Sequence, residues 1–283
     1  MNQYINLNGH HHDAEEPVLN ADNRGFRFGD ALCENIRANG TTLHFFNDHM
    51  ERLKKSMNYL SMDVPSPIKT HQIGQDMVKL LHKNKHLKGA QVRLTVFRNG
   101  GEGYRATGNS CSYLIESSKL ETDVYALNKK GLFVDVFRNM KKPITPMSNL
   151  NTTNALFYIL AENFRTEQNL DDCLLINQNN EFTESIGSNL FLVKDKIIKT
   201  PPLKSGCPDG ILRTHILDFS YHLGYKISCE NPVNFDDLLN ADEMFLTNTI
   251  DGIQWVGGIR QKRYYKHTAK KLLSLLNEKT RID

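Results

Sequence analysis

Three consecutive histidines near the start of the chain are the first residues that could do chemistry. His10 to His12 are followed by Asp13, Glu15 and Glu16. Imidazole and carboxylate groups are common ligands of Zn²⁺ and related metals. Adjacent residues on a flexible loop do not converge on one metal without strain, so we favour a solvated loop and expect no metal site.

A glycine-rich segment, Gly101-Glu-Gly-Tyr-Arg-Ala106, matches the loose pattern of a dinucleotide-binding loop. That loop must open a helix, whereas the residues after this segment have the pattern of a strand, so we favour a plain connector. The sequence contains no GxSxG, HExxH or Walker motif, which removes the commonest hydrolase and NTPase signatures. No familiar catalytic motif therefore stands out by itself.

The first third of the chain carries clear signals for local structure. Asn39-Gly40 lies between two apolar runs, which predicts a hairpin over residues 28–46. A helix should follow, with Asn47 or Asp48 as its cap and one apolar face. That face consists of Met50, Leu53, Met57 and Leu60.

The rest of the chain mixes helices and strands without a regular alternation. The expected fold class is therefore a mixed one, α+β or α/β. The polar stretch 117–123 separates two series of strands, and we place a domain boundary there. This gives a small domain of residues 1–118 and a larger one of residues 119–283. Further helices are predicted at 67–85, 152–167, 210–223 and 263–279, and paired strands at 90–97 and 111–116.

Composition excludes several classes of protein. The 283 residues are 39% hydrophobic and 24% charged, and the formal net charge of +3 is too small for a nucleic-acid-binding surface. Five cysteines without a CxxC pair indicate neither a disulfide framework nor a zinc knuckle. The N-terminus lacks the pattern of a signal peptide, and the longest apolar run, about 155–161, is too short to span a membrane. We therefore expect a cytoplasmic protein without membrane contact.

Seven fragments, in order along nearly the whole chain, carry a resemblance to one family. They are 23–37 (NRGFRFGDALCENIR), 48–53 (DHMERL), 93–104 (RLTVFRNGGEGY), 150–154 (LNTTN), 171–193, 200–213 and 245–256. Together they resemble the class IV aminotransferases, the fold-type IV pyridoxal phosphate (PLP) enzymes, which include branched-chain and D-amino-acid aminotransferases and 4-amino-4-deoxychorismate lyase. The resemblance implies the two-domain D-amino-acid aminotransferase-like fold, a cofactor cleft between the domains, and a homodimer.

The resemblance also implies which residues contact the cofactor. The family has a Glu five residues before an Asn, a spacing that Glu184 and Asn189 match, and the carboxylate keeps the pyridine nitrogen protonated. A dianionic phosphate is favoured by an Arg and by the amides at a helix start. The implied phosphate contacts are Arg52, the amides of Ile211 and Leu212, and Thr249. A plain surface role on an amphipathic helix is the alternative for Arg52, and the family usually has a threonine where this chain has Leu212.

The main departure from the family lies at its Schiff-base lysine. The segment reads Leu150-Asn-Thr-Thr-Asn154, so Asn151 stands in the lysine position. An amide is not nucleophilic and cannot act as the general base, so both roles of the lysine are lost. Lys141 and Lys142 lie nine or ten residues upstream, but we favour surface solvation for both over a relocated catalytic lysine.

Smaller features favour the lyase branch of the family. Branched-chain aminotransferases usually have a Tyr five residues after the lysine, where this chain has Leu156. The lyases have an Asn that Asn154 matches and a GxGY loop like residues 101–104. By the same resemblance, Arg93 and Tyr104 are the candidate substrate contacts.

The leading hypothesis is a class IV aminotransferase-like or aminodeoxychorismate-lyase-like protein that acts on an amino acid or an amino-chorismate type substrate. Its ordinary PLP mechanism should be impaired, with PLP or pyridoxamine phosphate (PMP) bound noncovalently if at all. Two alternatives remain: a non-catalytic, reversible binder of PLP or PMP, and a cofactor-free enzyme that uses the anion pocket for another substrate. An absorption spectrum with and without added PLP distinguishes them.

Overall fold

The computed structural model describes residues 3–281, which divide into two compact units. The first unit contains residues 3–124 together with Asn151–Asn154, and the second contains residues 125–150 and 155–281. Each unit is built around its own sheet. The division into domains 1–118 and 119–283 stays a prediction.

The first unit has a six-stranded sheet with strand order β2-β1-β6-β5-β3-β4. All neighbouring strands in this sheet are antiparallel. Its elements are β1 (Tyr4–Leu7), β2 (His10–Asp13), α1 (Arg24–Phe28), β3 (Ala31–Asn39), β4 (Thr42–Leu43), α2 (Phe46–Tyr59), α3 (Ser66–Lys69), α4 (Gln72–Lys83), β5 (Gly89–Arg98) and β6 (Cys111–Lys119).

Several predictions for this unit are confirmed. The hairpin at Asn39-Gly40 joins β3 to β4, and β5 pairs with β6 along their whole length. On α2, the side chains of Met50, Leu53 and Met57 are buried as the spacing predicts. The predicted cap is wrong, because α2 begins at Phe46 and neither Asn47 nor Asp48 precedes it.

Two other predictions for this unit are wrong for local backbone reasons. The histidine segment is a strand and not a loop, since Asn8 and Gly9 both have positive φ and turn β1 back onto β2. Asn-Gly is the same hairpin signal that the sequence carries at residues 39–40. The predicted helix 67–85 is interrupted at His71, whose φ of 60° separates α3 from α4.

The second unit has a nine-stranded sheet in which six strands close a ring. Pairings run in the order β10-β13-β14-β7-β8-β9, and β9 pairs again with β10. The β14–β7 and β7–β8 pairs are parallel and the other four pairs of the ring are antiparallel. The elements are β7 (Leu132–Lys142), α5 (Leu156–Glu167), β8 (Asp172–Asn177), β9 (Phe182–Ser185), β10 (Ser188–Lys194), β11 (Ile197–Lys199), a 3₁₀ turn (Leu203–Ser205), α6 (Ile211–His222), β12 (Lys226–Ser228), α7 (Phe235–Asn240), β13 (Glu243–Asn248), β14 (Gly252–Ile259), β15 (Lys262–Arg263) and α8 (His267–Lys279).

The two faces of this ring bury different sets of side chains. Alternate residues, such as Leu174 on β8, Leu190 on β10 and Leu246 on β13, belong to one core cluster. The residues between them face the other way, because successive side chains of a strand point to opposite faces. On β7 and β8, that second face packs against α5 through Phe137 and Leu175.

Three further features concern the described residues as a set. Within residues 3–281, no helix is both long and apolar enough to cross a membrane. In the same range, no group of three or more His, Cys, Asp and Glu side chains is placed to hold a metal ion. All five cysteines are free thiols.

Candidate functional site

A row of three polar side chains crosses the sheet of the second unit. Glu184 on β9 is the register partner of Asn189 on β10, and Asn189 is the register partner of Thr247 on β13. Directly opposed residues in antiparallel strands have Cβ atoms about 4.5–5.5 Å apart on one face. The three side chains therefore line one face, opposite to the cluster that contains Leu190 and Leu246.

The spacing between Glu184 and Asn189 follows from the hairpin that joins their strands. Ser185 pairs with Ser188, so Ile186 and Gly187 form a two-residue turn in which Gly187 has a φ of +81°. A two-residue turn places residues five apart in sequence directly opposite each other. The Glu and the Asn are thus paired by the hairpin register itself.

Glu184 is buried and forms an ion pair with Lys142. Its side chain has an exposed fraction of 1%, and the Lys142 ammonium donates to Oε1. Tyr158 on α5 donates its hydroxyl to the same Oε1 at 3.2 Å. Lys142 also donates to the Ser148 carbonyl at 3.4 Å, and its ammonium lies 5.7 Å from the centre of the Tyr158 ring. Our expectation that Lys142 is solvated is wrong, whereas Lys141 is exposed.

An irregularity in β7 brings Lys142 to this face. The β7–β8 register is continuous up to Phe137, shifts, and resumes only where Lys142 pairs with Asn177. The next residues turn tightly, since Ser148 accepts a bond from the Thr145 amide and donates one to the Pro143 carbonyl. The chain therefore returns with the Ser148 carbonyl beside the Lys142 ammonium.

The pKa values of the cluster reflect burial and charge. Burial raises the pKa of Glu184 above its ordinary value, and the charge and hydrogen bond of Lys142 oppose that rise. Burial, followed by the charge of Glu184, raises the pKa of Tyr158. Tyr158 therefore acts as a neutral hydrogen-bond donor to the carboxylate at neutral pH.

Asn189 links this row to the start of α6. Its Nδ2 donates to the Pro208 carbonyl at 3.0 Å, and a Cβ on Gly210 would overlap its Oδ1. Gly210 is the residue before α6, and no side chain caps that helix start. The close packing explains why glycine is needed at position 210.

Two further features border this helix start. The first amides of α6 belong to Ile211 and Leu212, and the Leu212 side chain is buried where the family usually has a threonine. Among the described residues, Thr247 Oγ1 is buried and has no hydrogen-bond partner. Helix amides and a buried hydroxyl are groups that bind a phosphate or carboxylate well.

Thr249 lies in a fixed turn after β13. Asn248 Oδ1 accepts hydrogen bonds from the amides of Ile250 and Asp251 at 2.9 and 2.8 Å. Tyr125 donates its hydroxyl to the Thr249 carbonyl at 2.8 Å. These contacts hold the turn through its backbone, and a role for Thr249 in phosphate binding stays a prediction.

Arg52 lies in the first unit, where its partly exposed side chain forms a network with the buried Glu34 and His49. Its Nε donates to Glu34 Oε1 at 2.9 Å, and its Nη2 pairs with Oε2. His49 Nδ1 lies 2.7 Å from Glu34 Oε2. Burial opposes ionisation of Glu34, but the charge of Arg52 and the bonds from His49 and Arg52 hold its pKa below the ordinary value. The alternative of a plain surface arginine is therefore wrong.

The Arg52 network leads to a prediction about stability. Arg52→Ala should lower the free energy of unfolding by about 1.5–3 kcal/mol, because a buried carboxylate loses charged hydrogen bonds while His49 remains beside it. Urea denaturation of the variant, with the exposed α2 residue Lys55 changed to Ala as the control, measures this loss. Phosphate-ligand affinity should be compared between Glu34→Gln and Glu34→Gln/Arg52→Ala, and equal affinities would exclude Arg52 from the phosphate site.

Asn151 belongs to the first unit and is joined to β3. Its Nδ2 donates to the Cys33 carbonyl at 2.7 Å, and the Cys33 amide donates to the Asn151 carbonyl at 2.9 Å. Thr152 forms a β-bridge with Leu32 in the same strand. The side chain at position 151 is thus used in a hydrogen bond to the backbone, and its amide offers no nucleophile.

The two candidate substrate residues lie on different elements of the first unit. Arg93 is an exposed residue in the middle of β5, between Asn35 and Glu116 of the neighbouring strands. Tyr104 lies in the glycine-rich segment, is 92% exposed, and has its ring 5.5 Å from that of Phe28. Contact of either residue with a substrate stays a prediction.

Residues 31–259 match the amino-transferase class IV family, which is more than half of the chain. The chain belongs to this family. A relative named aminodeoxychorismate lyase, from Bacillus subtilis, is 24% identical over 87% of this chain and 83% of its own length. A D-alanine aminotransferase from Bacillus licheniformis is 25% identical over 86% of this chain and 83% of its own.

The class IV aminotransferase fold is equally clear in a solved structure. The branched-chain aminotransferase of the archaeon Thermoproteus uzoniensis, solved with norvaline, has a TM-score of 0.87 to this chain at 21% identity. The match covers 99% of this chain and 95% of that one. The two-domain fold-type IV expectation is therefore confirmed, and the relatives carry names of both transaminases and a lyase.

The residues present do not fit a covalently held PLP of the kind that the resemblance implies. Position 151 offers an amide instead of an amine. Glu184, the expected partner of the pyridine nitrogen, already holds the Lys142 ammonium. Other parts of the second unit, the start of α6 and Thr247, remain suitable for an anion.

Sequence reasoning missed Tyr158 and Thr247, and misjudged Lys142. Tyr158 lies within an apolar helix pattern, which gives no indication that its hydroxyl reaches a carboxylate. Thr247 precedes Thr249 by two residues in the LTNT segment. Alternate residues of a strand point to the same face, so the expected role of Thr249 also indicated Thr247 as a candidate.

Proposed function

We propose that this member of the class IV aminotransferase family binds a small phosphorylated anion reversibly and without a covalent bond, and that its ordinary transaminase or lyase mechanism is impaired. PLP and PMP are the first ligands of this class to test. The substrates of the impaired enzyme are amino acids or amino-chorismate type compounds, as in the family. Assays of both reactions decide between a transaminase-like and a lyase-like activity.

The observation that carries this proposal is the hydrogen-bonding of Asn151. Its side chain donates to the Cys33 carbonyl, so the position of the family's lysine serves the backbone of β3. An amide has neither the nucleophilic nitrogen nor the proton affinity that the lysine supplies. This chain should therefore bind a ligand without forming a covalent bond to it.

Retention of an anion site is supported by the second unit. Gly210 fits closely against Asn189, α6 begins without a side-chain cap, and Thr247, the register partner of Asn189, has a buried Oγ1. Backbone amides and a hydroxyl would hold a phosphate by hydrogen bonds, while Arg52 is the proposed cation.

A second candidate function is that of an ordinary PLP enzyme with a relocated lysine. The observation that favours it is the burial of Lys142 beside Glu184. An amine that is held as an ammonium by a carboxylate is a poor nucleophile, so we rank this candidate second.

Wild-type protein should bind PLP reversibly and turn over slowly. Added PLP should produce a spectrum of bound cofactor that disappears completely on dialysis, because no covalent bond retains it. Transaminase and lyase assays with amino-acid and amino-chorismate substrates should give very low rates at saturating PLP. Cofactor that borohydride reduction fixes permanently to the chain, or normal turnover, would contradict the proposal.

We also propose the homodimer and the cytoplasmic location that the family resemblance suggests. Support for the dimer comes from α5, where Leu156, Ile159 and Leu160 are exposed apolar residues at helical spacing. Exposed apolar surface of this kind is common at protein interfaces. Analytical ultracentrifugation of the wild-type chain tests the dimer directly.

A further inference from the structure

The Lys142 ammonium is fully engaged with groups of its own chain. It contacts the Glu184 carboxylate, the Ser148 carbonyl and the face of the Tyr158 ring. The side chains of Lys142 and Glu184 have exposed fractions of 8% and 1%. A buried charge persists only when it is paired and hydrogen-bonded, and each of these two charges meets that requirement through the other.

The position of this pair matters because of what lies next to it. Glu184 is followed across the sheet by Asn189, and Asn189 packs on Gly210 at the start of α6. A ligand whose anionic group binds at α6 and whose body extends across Asn189 would reach the Lys142–Glu184 pair. That pair is electrically neutral as a unit.

We propose that Lys142 is a built-in cation that takes the place at Glu184 which a protonated ring nitrogen would need, so the site prefers anions that lack a cationic ring nitrogen. This inference rests on the proposed function and names the ligand class of the same site. A second cation at Glu184 would lie within contact distance of the first, in a region of low dielectric constant. Displacing Lys142 instead would leave a buried ammonium without its carboxylate.

The charge of Lys142 should decide whether the site discriminates between PLP and a ligand without the ring nitrogen. Wild-type protein should bind PLP no more tightly than the 1-deaza analogue of PLP, in which a C–H group replaces the ring nitrogen. Lys142→Met removes the internal cation and leaves Glu184 to be neutralised by the ligand. That variant should then prefer PLP over the analogue by about 10- to 100-fold, the range expected for one charged hydrogen bond.

Two matched variants isolate the cause. Lys142→Arg keeps a cation at the same position and should show no preference between the two ligands. Lys142→Met/Glu184→Gln removes both charges and should also show none. Isothermal titration of PLP and of the deaza analogue into all four proteins gives the eight affinities that are compared.

The possible results separate this inference from the proposed function. The inference is supported if Lys142→Met prefers PLP and the other three proteins do not. This holds even if wild-type protein binds neither ligand, a result that would contradict the proposed reversible binding. A preference of tenfold or more in wild-type protein, or no gain of preference in Lys142→Met, overturns the inference while reversible binding can still hold. If Lys142→Met does not fold, Lys142→Gln replaces it in the same comparison, since a neutral amide also removes the cation.

Discussion

Lys142→Met should lower the free energy of unfolding by about 3–5 kcal/mol, the cost of leaving one partner of a buried ion pair uncompensated. The reason is Glu184, which is only 1% exposed and therefore depends on Lys142 to compensate its charge. Tyr158 would still donate to the carboxylate, but a single neutral donor does not balance a buried charge. Urea denaturation followed by circular dichroism measures the effect.

The matched control is the neighbouring lysine. Lys141 is exposed, so Lys141→Met should change the free energy of unfolding by less than about 0.5 kcal/mol. The double variant Lys142→Met/Glu184→Gln should recover most of the loss, because the remaining groups are neutral. Equal stabilities of the Lys141 and Lys142 variants would show that the ion pair does not exist in solution.

In the Asn151→Lys variant, borohydride should attach PLP covalently to position 151 in most chains. Wild-type protein should not be labelled under the same conditions. The change supplies an amine at the position where the family has its Schiff-base lysine. It removes the hydrogen bond from Asn151 to the Cys33 carbonyl, for which we expect a loss of about 0.5–1.5 kcal/mol in stability. Peptide mass spectrometry after reduction locates the label.

Thr152→Lys is the matched control for this experiment. Thr152 is the next residue in an extended segment, so its side chain points to the opposite side from that of Asn151. The lysine at position 152 should not be labelled under the same conditions.

We do not expect turnover to return with the label in Asn151→Lys. Leu156, Leu212 and the Lys142–Glu184 pair also differ from the expected site, and catalysis needs closer placement than imine formation. Absence of label at position 151 would show that this part of the chain no longer lies at a cofactor site.

The fold could be predicted from the sequence because its signals lie in neighbouring residues or in family-like fragments that follow one another in order along the chain. The Asn39-Gly40 turn, the spacing of apolar residues on α2 and the strand patterns of β5 and β6 each depend on neighbouring residues. The five-residue spacing of Glu184 and Asn189 is also local, since it is set by one two-residue hairpin turn.

The Lys142–Glu184 pair could not be predicted, because it depends on contacts between distant residues. The two positions are 42 residues apart, and the register shift in β7 after Phe137 leaves no mark in the residue types. A lysine in the polar segment Asn139-Met-Lys-Lys-Pro143 has the composition of a solvated loop. Only the tertiary fold shows that one of the two adjacent lysines is buried.

Arg52 illustrates a site residue that sequence identified without its surroundings. Its place on α2 follows from the family fragment and the helix pattern. Glu34 was not anticipated as its partner, although a glutamate inside the apolar strand ALCENIR must be compensated if it is buried. The need to compensate a buried carboxylate could have been applied to Glu34 from the sequence, and it predicts a cation nearby.

The central claim is that wild-type protein binds PLP without a covalent bond. The measurement is borohydride reduction of wild-type protein with excess PLP, followed by mass spectrometry of every lysine-containing peptide, with Lys142→Met treated in parallel. We predict no stoichiometric pyridoxyl label on any lysine, and identical peptide maps for the two proteins outside position 142. A stoichiometric label at Lys142 in the wild-type protein, absent from Lys142→Met, would contradict the account and identify a relocated catalytic lysine.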